Sequence, residues 1–205
     1  MNFAVNAPLF MQPFRDTFQK SAIKDLKKFA KQFSGVSKWL LISDYVFDGR
    51  AAINDVATFV LFPYIYELEE FMAEIGRAQS LDIKHTHTVS NRLLRLLKRT
   101  NFLPIICNID KGLSLVPGKQ DSSAITDILN SWRVACDFFA VEADELTSAS
   151  QYTDAAGLLQ AVQNEISAYP TTKISLLRQF VVVVNIASYL SAILHDNASA
   201  TDVCW

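Results

Sequence analysis

Apolar residues recur every three or four positions between Asp16 and Phe33: Phe18, Ala22, Ile23, Leu26, Phe29, Ala30 and Phe33. That spacing makes one stripe of an amphipathic helix. Lys20, Lys24, Lys27, Lys28 and Lys31 occupy the rest of its surface, and Ser34-Gly35 ends it. The pattern then changes. Lys38 to Phe47 (KWLLISDYVF) and Val56 to Tyr64 (VATFVLFPY) are short, aromatic and β-branched, with the turn signal Asp48-Gly49 between them. Two such runs predict a β-hairpin with a longer loop, although either could also be a buried helix segment.

Helices are predicted over Glu67 to Gln79, with Leu68, Phe71, Met72 and Ile75 inward, and over Val89 to Arg99, capped by Thr88 or Ser90. Phe102 to Ile109 (FLPIICNI) reads as a third strand. Helical spacing returns over Ala124 to Leu146, and Thr153 or Asp154 caps a further helix ending at Ala168. After Pro170, Ile174 to Leu194 is a long apolar run, and Thr201 to Trp205 is either a terminal strand or a loose end. Strands early and helices late predict an α/β or α+β fold: a small sheet opened by a β-hairpin and covered by several helices. The chain reads as one domain over residues 1–205, with 1–35 an arm and peripheral helix and 36–205 the core.

Composition narrows the class. Half of the residues are hydrophobic, and 19 basic against 21 acidic residues leave a net charge of −2. This excludes a disordered tail and a protein that holds nucleic acid by bulk positive charge. Cys107, Cys136 and Cys204 are far apart and odd in number, which excludes a disulfide scaffold and suits a cytoplasmic protein with reduced thiols. The run from Ile174 carries Arg178, Gln179 and Asn185, so it reads as a buried helix, with no membrane partner. The charge is uneven: Lys84 to Thr100 holds five basic residues and no acid, whereas Asp121 to Pro170 holds eight acids and one Arg.

Asp44 carries the first candidate chemistry. In a strand it shares a face with Leu40, Ile42 and Val46, where a carboxylate is costly unless paired, hydrogen-bonded or metal-bound. Acids on strands anchor the ions of two-metal phosphoryl-transfer sites. Asp110 ends the next strand outside the hairpin; Glu69, Glu70, Glu74 and Asp196 are further potential ligands. An acid-bearing strand, a second strand, a helix and an acid-ending strand make residues 38–111 similar to ribonuclease H-like nucleases. The third hairpin strand of that family is missing between Tyr64 and Glu67. The resemblance implies phosphodiester hydrolysis with Mg²⁺ or Mn²⁺ held by Asp44 and Asp110. The alternative is that Asp44 pairs with a cation or lies at a sheet edge.

In the helix from Val89, Leu93, Leu94, Leu96 and Leu97 are expected inward, with Arg92, Arg95 and Arg99 opposite them and Lys98 alongside. Such a ridge suits nucleic-acid phosphates, the acidic half of the chain, or an acidic protein surface. His85 and His87 have metal-ligand spacing only in a strand, and too few other ligands for zinc. Pro117-Gly118-Lys119 lacks the first glycine and the Ser/Thr of a phosphate loop. Two functions remain. One is a metal-dependent nucleic-acid-processing protein or an inactive relative. The other is a non-enzymatic interaction module, subunit or homo-oligomer, in which Trp205 is either docked or offered to a partner.

Overall fold

The computed structural model describes residues 10–47, 53–65, 67–79, 88–99, 101–143, 145–198 and 200–205, without the side chains of residues 68 and 99. The elements are α1 (Met11–Lys20), α2 (Ile23–Gln32), β1 (Lys38–Val46), β2 (Asn54–Pro63), α3 (Leu68–Ala78), α4 (Asn91–Arg99), β3 (Leu103–Asp110), α5 (Asp121–Glu142), α6 (Leu146–Glu165), α7 (Thr171–Ala198) and β4 (Asp202–Cys204), with a 3₁₀ turn at Ile166–Ala168. The fold is mixed α/β, as the pattern predicts. It divides into two compact units, Ser21–Ile109 with Ala187–Trp205, and Met1–Lys20 with Asp110–Ile186.

The first of these units contains the sheet, in the order β3-β2-β1-β4. β1 and β2 form the expected antiparallel hairpin pair, with Asp44 opposite Thr58 and Ile42 opposite Val60. The turn at Asp48-Gly49 lies outside the described residues. The last residues form a strand: β4 runs parallel to β1, Val203 facing Trp39. Its entry is fixed by Ser37, whose carbonyl accepts from the Thr201 and Asp202 amides at 2.9 and 3.1 Å. α2 buries Ile23, Leu26 and Ala30. At the α3–α4 joint, the Ser90 hydroxyl accepts from the Leu93 amide at 3.0 Å and donates to the Ala78 carbonyl at 2.6 Å. Ser90 is therefore the N-cap of α4 and also ties it to the end of α3.

In the second unit, α5 packs along α6. The buried face of α5 is Ala124, Ile125, Ile128 and Leu129. α7 is long and apolar enough to cross a bilayer, and 44% of its most apolar window is buried. Val181, Val182, Val183, Ile186, Leu190 and Leu194 are buried, whereas Leu176 and Phe180 are exposed.

Several boundaries differ from the sequence reading. The helix expected over residues 16–33 is two helices, interrupted at Ser21 and Ala22. No Pro or Gly breaks it, and Ala22 keeps helical dihedrals (φ −95°, ψ −16°). The interruption lets α1 bury Met11 and Phe18 in one unit while α2 buries its own stripe in the other. The helix expected to start at Thr153 starts at Leu146, and the Thr153 hydroxyl donates back to the Ala149 carbonyl at 3.0 Å instead of capping. Met72 is exposed rather than inward.

Candidate functional site

The sheet has two unlike faces, and this decides how its acids are read. Along β1, Trp39 and Leu41 are buried, while Lys38, Ile42, Asp44 and Val46 are exposed. β2 continues the alternation, with Ala57, Phe59 and Leu61 buried beside half-exposed Val56, Thr58 and Val60. In β3, Ile105 and Cys107 are buried and Ile106 and Asn108 are exposed. Asp44 does share a face with Leu40, Ile42 and Val46, but toward its end that face opens to solvent. Its carboxylate is exposed, and it accepts from the Tyr45 amide at 3.0 Å. The desolvation argument for a metal at Asp44 therefore loses its premise.

Asp110 has a local task. Its Oδ1 accepts from the Gly112 amide at 2.7 Å, and its carbonyl accepts from the Leu113 amide at 3.0 Å, which together turn the chain out of β3. A Cβ at Gly112 would lie 3.3 Å from that Oδ1, so a larger residue there crowds the turn. β2 separates β1 from β3, which puts their axes two strand spacings apart, roughly 10 Å. Among the described residues no group of three or more His, Cys, Asp or Glu could hold a metal ion.

On α4, Arg92, Arg95 and Lys98 are exposed as the spacing predicts, and Arg95 Nε donates to the Asn91 carbonyl of its own helix at 3.3 Å. The expected apolar face is narrower than the sequence suggests: Leu93 is buried, Leu96 and Leu97 are half-buried, and Leu94 is exposed. The Arg99 side chain, His85 and His87 lie outside the described residues.

The feature that the pattern missed is an apolar patch on the open sheet face. Ile42, Val46 and Ile106 are 52, 60 and 69% exposed, with half-exposed Val56 and Val60 alongside. The signal was Asp44 itself, since a charge within an alternating strand marks the solvent side. On the other face of β1, the Trp205 indole donates to the Ser43 hydroxyl at 2.8 Å, so this residue is docked on the strand while still 53% exposed. The Tyr45 and Phe47 rings stack at 5.3 Å.

The second unit contains a polar cleft of about 710 Å³ between the β3–α5 loop, the start of α5 and the start of α7. Arg178 organises it. Its Nη1 donates to the Lys111 and Leu113 carbonyls at 3.1 and 2.8 Å, and its Nε lies 3.7 Å from Asp121. Ser114, Ser122, Ser167 and Ser175 also line it, but neither His nor Cys does.

Two of the thiols, Cys107 and Cys136, are held protonated by their surroundings. Burial pushes Cys107 up to about 11, and burial, then the Asp137 charge, raises Cys136. In iodoacetamide labelling at pH 8, exposed Cys204 is expected to react first, Cys136 more slowly, and Cys107 only on unfolding. Fast native-state labelling of Cys107 would contradict its burial. The same shift sets a pH dependence. The unfolded thiol ionises near pH 9 and the folded one near 11, so this contribution to stability is lost as pH rises through that window.

Comparison of the chain with protein-family models, curated proteins and solved structures finds no match.

Proposed function

We propose that this chain is a non-enzymatic interaction module that docks an apolar surface of another protein on the open face of its sheet. The observation that carries this reading is the exposure of Ile42, Val46 and Ile106 on a face that a folded domain would otherwise cover. Asp44 and Thr58 stand between the Ile42–Val60 and Val46–Val56 pairs, so the face offers polar groups among its aliphatic ones, as protein contacts do. A cytoplasmic location belongs to this reading, since three free thiols stay reduced there. The nucleic-acid-processing reading keeps the exposed cations of α4 in its support, but Asp44 no longer argues for a metal.

Placing a photo-crosslinking p-benzoylphenylalanine at Ile42 tests the proposal. In cells that express the chain natively, a discrete protein adduct is expected on irradiation, and adding Ile106→Glu is expected to abolish it. Because both positions are already exposed, Ile42→Glu and Ile106→Glu should each change unfolding stability by no more than about 0.5 kcal/mol. A chain that stays free of adducts under irradiation sinks the reading.

A further inference from the structure

Beyond this docking face, and independent of it, α2 presents a second surface. Lys24, Lys27, Lys28 and Lys31 stand at positions i, i+3, i+4 and i+7, which places all four on one side of the helix. Among the described residues they and Gln32 line a shallow, open groove of about 580 Å³. No described acid lines that groove, and among the described residues none of the four lysines forms a salt bridge. Like charges at these spacings repel, and Asp25, the one acid of α2, forms no salt bridge with any of them among the described residues. An external polyanion would relieve that repulsion.

The opposite side of α2 identifies the kind of polyanion. A basic amphipathic helix that lies on a membrane needs a free apolar face to insert. Here Ile23, Leu26 and Ala30 are 6, 0 and 0% exposed, so that face is committed to the fold. Contact through α2 is therefore purely ionic. The four ammonium groups form a row along one side of a single helix, a narrow track of charge that suits a strand of linked phosphates. Lysine ammonium groups act as point charges without the planar fork that reads a base edge, so such contact follows the backbone and not the sequence.

We propose that the α2 lysine groove binds the phosphate backbone of single-stranded nucleic acid without sequence preference. Binding of a fluorescein-labelled 20-nucleotide single strand, titrated by anisotropy between 50 and 200 mM salt, tests this. With four phosphate contacts, log K is expected to fall against log salt with a slope of about −2.8, about a fiftyfold loss across that range. In the Lys27→Gln/Lys31→Gln variant, two contacts remain, the slope falls to about −1.4 and the loss to about sevenfold. These lysines are exposed and glutamine is a good helix former, so a native circular dichroism spectrum is expected. A wild-type chain that does not bind the strand at 50 mM salt overturns the proposal. So does an unchanged slope in the double variant, or a slope lowered only by Arg92→Gln/Arg95→Gln on α4. Lysine-dependent binding to vesicles with 30% phosphatidylserine, without binding of the oligonucleotide, also overturns it and assigns the groove to a lipid surface.

Discussion

Replacing Trp39 by alanine is expected to destabilise the chain by about 3–5 kcal/mol, the range for removing a large aromatic side chain from a packed core. Trp39 is 1% exposed, at the start of β1. Its ring meets Phe29 at 5.9 Å and Phe33 at 6.2 Å, both edge-on, so it joins α2 and the turn after it to the sheet. Its indole N–H donates to the Val36 carbonyl at 2.9 Å. Alanine empties the volume and also leaves that carbonyl without its donor. Phenylalanine keeps most of the volume and loses only the donor, so Trp39→Phe is expected to cost about 1–2 kcal/mol. Urea unfolding followed by circular dichroism separates the two. Equal losses would mean that the ring is not packed as described, and a loss below 1 kcal/mol for alanine would remove Trp39 from the core.

The second large effect is expected at Arg178. Its guanidinium donates to two loop carbonyls, Lys111 and Leu113, and these bonds hold the chain that leaves β3 against α7. Hydrogen bonds from a charged donor are worth more than neutral ones, and the Arg178 side chain is only 12% exposed. Asp121 adds little, because it is 38% exposed and 3.7 Å away. Arg178→Met keeps the packed stem and removes the donors, with an expected loss of about 2–3 kcal/mol. Lysine is shorter, so its ammonium stops short of the Nη1 position that serves both carbonyls, and it is expected to recover less than half of that. Proteolysis should also become faster at the loop near Lys111. Unchanged stability in Arg178→Met would show that water replaces the guanidinium at no cost.

The hairpin, the third strand and the cap of α4 are legible in the sequence because each is a local matter. Alternation over residues 38–47 and 56–64 implies two half-buried strands, and the observed pairing of Asp44 with Thr58 follows from their antiparallel register. Ser90 was one of two cap candidates, and its hydroxyl meets the Leu93 amide as helix geometry requires. The start of α6 was misread because Thr153 and Asp154 resemble a cap, while Leu146 to Ser150 offers no strong start signal. Within a helix already under way, the Thr153 hydroxyl simply turns back on its own backbone.

The candidate site was less legible. Periodicity places Leu40, Ile42, Asp44 and Val46 on one face, and that is correct, but it does not say which face meets the core. Had it been the covered one, Asp44 would have needed a cation or a metal. On the open one, Asp44 needs only water, and the aliphatic residues around it become the feature that requires explanation. In the same way, periodicity places Lys20 and the four lysines of α2 on the polar side of one helix. Only the structure shows the four of α2 bordering one groove that no described acid lines.

Taken alone, the sequence determined the mixed α/β class, the approximate place of most helices and of the first three strands, and where the positive charge gathers, because spacing and composition act over a few residues. The tertiary structure decided that α1 and α2 belong to different compact units, that residues 202–204 add a parallel strand to β1, and that Asp44 faces solvent. Those outcomes depend on contacts between residues far apart in sequence, such as Thr201 with Ser37 and Trp205 with Ser43, and no local period records which distant surface will cover a face.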